Sequence, residues 1–363
     1  RISGNSASRT AGILGFKLPN QRIASVAVLK DGVRKLDEAV VLFFRGPRSY
    51  TGEDVVELHV HGGRTVIEAV INVLQRQDGF RIAEPGEFTK RAVLNGKMDL
   101  TKAEGINDLI HAETEAQRVQ SFAQVDGALS EIAGDWREKA IKIAAHVEAY
   151  IDFPEEEIPE NILIGMGDEM GQLISDIEKG LDDGRRGEIL REGLRIAVIG
   201  PPNAGKSTLV NWLSKRPISI ISEQPGTTRD VLEVSLDLDG YPVIIADTAG
   251  LRESTDSIEN EGIKRAQEWA KKANSRLILL EPRTEADFLE QLKPNPEEDL
   301  VVLNKIDLAP TYLKKKEMIA ISLKDEIGLD KVLEGLKKIA SGRMVGQEPA
   351  VITRTRHREA LRS

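Results

Sequence analysis

The octapeptide Gly200-Pro201-Pro202-Asn203-Ala204-Gly205-Lys206-Ser207 has the spacing G-x-x-x-x-G-K-[ST]. An apolar run, Ile196–Ile199, precedes it, and the helix-forming stretch Thr208–Leu213 follows. In that setting the backbone N–H groups of the loop converge on phosphate oxygens at a helix N-terminus. Lys206 is then assigned to the β- and γ-phosphates and the Ser207 hydroxyl to Mg²⁺. Asn203, Ala204, Gly205 and Thr208 line the same cradle.

A second tetrapeptide, Asn304-Lys305-Ile306-Asp307, closes another apolar strand and selects the base. A carboxylate at Asp307 accepts two hydrogen bonds from the imino and exocyclic amino groups that guanine alone presents. Adenine would leave that charge unpaired, at a large cost. Asn304 is placed to tie this loop to the phosphate loop, and Lys305 to lie along the base. Ser322-Leu323-Lys324, after a further strand, completes the pocket through backbone groups. Asp247-Thr248-Ala249-Gly250 also ends a strand. Asp247 would reach Mg²⁺ through water, and the Gly250 amide would sense the γ-phosphate. Between these motifs lies the polar loop Gly226-Thr227-Thr228-Arg229-Asp230, in which Thr228 is the expected second Mg²⁺ ligand with Thr227 beside it. Together the spacings predict a GTP-hydrolysing switch domain with Lys206 and Thr228 among its catalytic residues.

These motifs need elements to hold them. The chain has 363 residues, which predicts two or three domains. Lys+Arg 50 against Asp+Glu 59 gives a net charge of -9, excluding a basic nucleic-acid coat but not a local basic patch. Zero cysteines exclude a disulfide framework, a thiolate zinc site and a cysteine nucleophile within this stretch, and a reducing cytosol is the simplest home. No apolar run approaches the roughly 20 residues that span a bilayer. Without an initiating Met or a signal peptide, Arg1-Ile2-Ser3-Gly4 reads as a strand entered midway, and the chain as a fragment.

The first hundred residues read as α+β. Val26–Leu29 and Val40–Phe44 are short apolar runs separated by the turn pair Asp31-Gly32. Val56, Leu58 and Val60 alternate with Glu57, His59 and His61, as in a strand with one face inward. Thr65–Leu74 has helical composition, and Pro85-Gly86-Glu87 marks a loop. Phe122, Val125, Leu129, Ile132, Trp136, Ala140, Ile143, Val147 and Tyr150 step by three or four, predicting one apolar stripe along a long helix. Met170, Leu173, Ile174, Ile177 and Leu181 predict another helix. From Arg195 the pattern is α/β, with strands at Arg195–Ile199, Val243–Ala246, Leu277–Leu280, Val301–Leu303 and Ile319–Ile321. Helices are expected at Ile258–Lys272 and Leu329–Ile339. Leu232 to Leu238 alternates into Asp239-Gly240, a hairpin signal, so one antiparallel edge strand is expected on a mostly parallel sheet.

The phosphate-loop asparagine Asn203 and the Gly226–Asp230 run resemble the Era-like branch of translation-factor GTPases over Arg195–Ile339. Ser49-Tyr50-Thr51-Gly52-Glu53-Asp54, His61-Gly62-Gly63, Pro85-Gly86-Glu87-Phe88 and Ile151-Asp152-Phe153-Pro154, with Arg1–Gly4, are similar to the tRNA modification GTPases of the MnmE (TrmE) family across essentially the whole chain. That resemblance implies a multidomain fold. An α+β folate-binding-like and dimerising domain covers residues 1–97, and a helical domain covers 98–191. An α/β P-loop GTPase domain at 192–342 is inserted before the helical domain resumes at 343–363. It implies a 5-formyl- or 5,10-methylene-tetrahydrofolate site on Arg1, Glu57 and Lys97. It also implies a homodimer through the N-terminal domain, a heterotetramer with the FAD protein MnmG, and tRNA as substrate at its wobble uridine. No membrane is involved, and the setting is the bacterial cytoplasm, or a mitochondrion in a eukaryote.

For hydrolysis the resemblance implies activation by K⁺, with Asn203 as the side-chain ligand and carbonyls of the loop Ser222–Thr227 (Ser222, Gln224, Thr227) completing the shell. Leu251 stands where Ras-like proteins carry the water-positioning Gln. Glu259 matches the family's catalytic carboxylate, with Glu261 its rival, and two GTPase domains are expected to meet across their switches. The family's C-terminal Cys motif is absent here, which implies weak folate binding by this stretch, and Glu281 to Leu300 is short for its place before Asn-Lys-x-Asp.

The remaining patterns carry blander readings. His59 and His61 share a strand face, yet no third metal ligand lies nearby in sequence. The basic tail Arg354, Arg356, His357, Arg358 and Arg362 reads as a solvated helix face, with contact to tRNA phosphates as the alternative. Lys314-Lys315-Lys316 reads the same way. The rival function is an Era-like ribosome-assembly GTPase, which would need an RNA-binding module such as a KH domain; none is visible in the sequence.

Overall fold

The computed structural model describes residues 1–152, 160–183, 185–220, 233–247, 273–282, 289–290, 292–308, 318–346 and 351–363. The chain divides into two compact units, Arg1–Glu104 and Gly105–Ser363.

In the first unit β1 (Ile2–Ser3) leads to the short helix α1 (Thr10–Ile13), and β2 (Ser25–Asp31) and β3 (Arg34–Phe44) follow. The last two form a hairpin through the Asp31-Gly32 turn, with Asp31 paired to Arg34. Strand β4 (Val55–His59) completes an antiparallel sheet of order β1-β4-β3-β2. Helix α2 (Arg64–Gln75) lays Val70, Val73 and Leu74 against Leu29, Val41 and Val56. Leu58 and Val60 pack against that core as their alternation predicted. Val55 is buried as well, because β4 is covered on both sides at its start. Helix α3 (Glu87–Leu94) begins after the Pro85-Gly86 turn, and α4 (Leu100–Ile110) follows.

In the second unit the single long stripe is broken. Helix α5 (Glu115–Asp126) ends at Gly127, whose φ of 102° lets its N–H reach Ala123 O and Gln124 O. Helix α6 (Ala128–Asp152) starts afresh. Of the predicted stripe only Leu129, Trp136 and Ile143 are buried, while Phe122, Ile132, Val147 and Tyr150 are exposed. Helix α5 instead turns Gln120, Ser121 and Gln124 inward, where the glutamine amides donate to Gly187 O and Thr353 Oγ1. A period of 3.6 locates a helix but does not choose the buried face when that face is polar and hydrogen-bonded. Helix α7 (Glu160–Leu181) likewise buries Leu173 and partly Ile177, leaving Met170 and Ile174 exposed.

Helix α8 (Arg186–Glu192) runs into β5 (Leu194–Ile199), which opens the α/β region. Helix α9 (Lys206–Ser214), β6 (Ser219–Ile220), β7 (Glu233–Leu238), β8 (Tyr241–Asp247), β9 (Ser275–Leu280), β10 (Asp299–Leu303) and β11 (Ile319–Ala320) follow, then α10 (Leu329–Met344) and α11 (Thr355–Arg362). The sheet order is β11-β10-β9-β5-β8-β7-β6. Pairs from β11 to β8 are parallel, and β7 runs antiparallel to β8 as predicted. Strand β7 is not the edge, however: the two-residue β6 pairs antiparallel outside it. Leu194, Ile196, Leu209, Leu213, Leu277 and Leu336 are fully buried around this sheet. Each such side chain contributes about 1.5–3 kcal/mol. The predicted helix Ile258–Lys272 and the run Lys314–Lys316 lie outside the described residues.

The basic tail is only partly a solvated face, with Arg356 and Arg362 exposed. Arg358 is buried, its guanidinium bonded to Asp183 and Glu188, and Arg354 Nη2 donates to both carboxylate oxygens of Asp108. Leu361 joins the cluster of Trp136, Ile143 and Leu173, so the chain returns to the helical region after the α/β insertion. Among the described residues no helix is long and apolar enough to cross a membrane.

Candidate functional site

Strand β5 has β9 on one side and β8 on the other, which makes its carboxyl end the switch point of the sheet, where ligands of such folds bind. Gly200 to Gly205 turns there, and α9 starts at Lys206. Gly205 has φ of 101°, and a Cβ on it would lie 2.7 Å from Asn304 Nδ2, so neither backbone nor space admits a side chain. The buried Lys206 donates from Nζ to Gly200 O (2.9 Å) and Pro201 O (2.7 Å), which lays its ammonium along the loop. Parallel register sets Val198 of β5 beside Asp247 of β8, and the Ser207 hydroxyl donates to Asp247 Oδ2. A hydroxyl and a carboxylate at one point form a hard-oxygen pair suited to Mg²⁺. Asn203 is exposed at the loop crest, and Thr208 is exposed on α9.

Asn304 joins the two motifs. Its Nδ2 donates to Ala204 O (2.8 Å), and its Oδ1 accepts from Leu323 N (3.0 Å). The side chain therefore clamps the phosphate loop to the Ser322–Lys324 turn. Asp307 is half-buried and accepts from the Ser322 hydroxyl at 3.0 Å, leaving carboxylate capacity for a base. The Ser322 hydroxyl also accepts from Asp325 N at 3.1 Å. Lys305 is paired with Glu281 at 2.5 Å. The structure thus brings together Asn203, Ala204, Gly205, Lys206, Ser207, Thr208, Asp247, Asn304, Lys305, Asp307, Ser322, Leu323 and Lys324. Ser222, Gln224, Thr227, Thr228, Gly250, Glu259 and Glu261 lie outside the described residues.

In the first unit Arg1 Nε donates to Glu57 Oε1 at 2.8 Å, and its guanidinium lies over the rings of Tyr50 (5.5 Å) and Phe88 (5.8 Å). Arg1 also lines a cavity of about 620 Å³ with Ile67, Ile71, Phe80, Arg81 and Arg91. Lys97 is not on that lining; its ammonium donates to Pro47 O at 2.9 Å. Beside the cavity runs an ionic ladder. Glu87 takes hydrogen bonds from Arg81 and Arg91, and Arg91 reaches Glu53, which accepts from Ser3. Arg81 first, then the Glu84 N–H and Arg91, push the Glu87 carboxyl down to about 2.

The motif spacings carried no signal for Glu281 or for the contact of Arg91 with Glu53, because those partners lie on other elements. Nor did they signal the Asp108 carboxylate, which joins Arg191 of α8 to Arg354.

A phosphate loop after a central parallel strand, welded to a base-reading loop, defines a P-loop nucleotide-binding domain. In sequence it is inserted in a helical region that follows a small antiparallel α+β unit. Residues 1–97 match the family described as GTP-binding protein TrmE N-terminus, and residues 100–363 match the MnmE helical domain. The tRNA modification GTPase MnmE of Anaplasma marginale (strain St. Maries) is 46% identical over 373 residues, covering 100% of this chain and 83% of that protein. Its counterpart in Parvibaculum lavamentivorans is 47% identical over 326 residues, covering 90% and 74%. This chain belongs to the MnmE (TrmE) family of tRNA modification GTPases. Among solved structures, a point variant of Aquifex aeolicus Era bound to GDP.AlF4- is 26% identical and covers 43% of this chain and 58% of its own, with a TM-score of 0.30. Family membership rests on the sequence matches alone.

Proposed function

We propose that this chain is a potassium-activated GTPase that acts with the FAD protein MnmG on carbon 5 of the wobble uridine of tRNA, using a one-carbon unit carried by 5-formyl- or 5,10-methylene-tetrahydrofolate. It works as a homodimer through residues 1–97, in the bacterial cytoplasm. Residues 98–191 and 343–363 form the helical domain, and residues 192–342 form the GTPase domain. The observation that carries the nucleotide reading is the Asn304 bridge between Ala204 and Leu323, which makes one pocket of a phosphate loop and a base loop.

Lys206 is pre-placed on loop carbonyls, so entering phosphate oxygens exchange one set of acceptors for a stronger, charged one. Ser207 and Asp247, with Thr228, would hold Mg²⁺, which neutralises charge on the β- and γ-phosphate oxygens. Asp307 reads guanine, and Ser322, Leu323 and Lys324 close the pocket around it. Asn203, with Ser222, Gln224 and Thr227, would hold K⁺, supplying positive charge where the leaving oxygen develops negative charge. Glu259, by the family resemblance, orients the attacking water, and Gly250, closing the Asp247-Thr248-Ala249-Gly250 motif, senses the γ-phosphate. Arg1 and Glu57, already paired beside Tyr50 and Phe88, would hold the folate ring system and its carboxylates, with Lys97 contributing from the Pro47 loop.

GTP turnover in KCl and NaCl at equal ionic strength tests the proposal. We expect turnover to be lower in NaCl by on the order of tenfold or more, with Asn203→Ala abolishing the difference. Equal rates in the two salts would overturn potassium activation.

A further inference from the structure

We infer that Glu281 is a positioning residue for the nucleotide base, acting through Lys305; the inference rests on the guanine-nucleotide reading of the pocket. The sheet register dictates the meeting. Strand β9 ends at Leu280, which pairs with Leu303 at the end of β10. Glu281 therefore emerges beside Asn304 and Lys305, and Asn304 N donates to Leu280 O at 2.8 Å. Asn304 is buried and fixed by both atoms of its side-chain amide. The backbone then turns sharply, with Lys305 at φ of 63°, and returns through the short helical turn Ile306–Leu308 to Asp307.

Lys305 Nζ meets Glu281 Oε2 at 2.5 Å, with side-chain exposures of 32% and 25%. A lysine stem has four rotatable bonds and a strongly hydrated head, so an untethered Lys305 would lose substantial rotamer freedom on lying against a purine. Tethering its ammonium removes that loss before the ligand arrives, which is how preorganisation raises affinity. Partial burial makes the tether stronger than an open surface pair. Glu281 acts through Lys305 at the base loop, so its effect belongs to binding rather than to bond cleavage.

Displacement titrations with GDP, alongside GTP turnover, test this on Glu281→Ala, Glu281→Gln, Lys305→Ala and the Glu281→Ala/Lys305→Ala double variant of the full chain. Glu281→Ala is expected to weaken GDP about fivefold, the scale of one partly exposed ion pair. GTP KM should rise by a similar factor, with kcat moving less than about twofold. Glu281→Gln, which keeps an acceptor, should lose less. The double variant should bind no more weakly than Lys305→Ala alone, because the glutamate acts only through the lysine. GDP affinity equal to the parent in Glu281→Ala, or strictly additive losses in the double variant, would overturn the inference while leaving the pocket intact. A thermal midpoint falling in step with affinity would overturn it in favour of a purely structural role. ADP competing as well as GDP in the parent would overturn the pocket reading and the inference with it.

Discussion

Replacing Arg358 with methionine removes the buried cation from a corner that holds two carboxylates. The guanidinium bonds Asp183 Oδ1 at 2.5 Å and Glu188 Oε1 at 3.2 Å, and donates to Leu181 O. The three side chains are only 3%, 9% and 9% exposed. Burial disfavours the cation, yet Asp183 and then Glu188 outweigh it and hold the guanidinium above its ordinary pKa. Methionine fills much of the same volume but leaves Asp183 and Glu188 without their shared buried partner. Breaking a buried pair in this way costs about 3–5 kcal/mol. At roughly 2–4 °C per kcal/mol for a unit of this size, the thermal midpoint of the second unit falls by on the order of 10 °C. Urea titration and calorimetry of the parent and Arg358→Met read the loss directly. The triple variant Asp183→Asn, Glu188→Gln, Arg358→Met should recover most of it, since both uncompensated charges are gone. An Arg358→Met protein within about 1 kcal/mol of the parent, or a triple variant no better than the single, would refute the reasoning.

Glu87 is held at a pKa of about 2 against an ordinary 4.5, so its contribution is complete above pH 4.5 and is lost as the pH falls toward 2. Hydrogen exchange over residues 1–104 should therefore accelerate across that window in the parent, and Glu87→Gln should flatten the dependence there while lowering protection at neutral pH. Asp307→Asn should weaken GDP by on the order of 10²-fold and improve xanthosine diphosphate, because an amide N–H now faces a base that offers a carbonyl. Competition titration with the two nucleotides measures both changes, and unchanged preference for GDP would remove Asp307 from base selection.

The nucleotide site was legible because its chemistry is local. Gly200 to Ser207 must be a tight turn opening a helix, and each motif closes an apolar strand, so strand, loop and helix could be read from adjacent residues. The turn at Asp31-Gly32 and the β7–β8 pair at Asp239-Gly240 were legible for the same reason. The division of one predicted helix at Gly127 was not, since packing against distant elements turns Gln120 and Gln124 of α5 inward rather than Phe122. Nor was the fate of the basic tail. A run of arginines looks the same whether solvated or paired, and it is the return of α11 to the α7–α8 corner that supplies Asp183 and Glu188. Neighbouring residues in the chain are enough to say which short segments serve phosphate and base. Which distant charges meet waits on folding, because an ion pair such as Glu281–Lys305 depends on strand register, and register is a property of the assembled sheet.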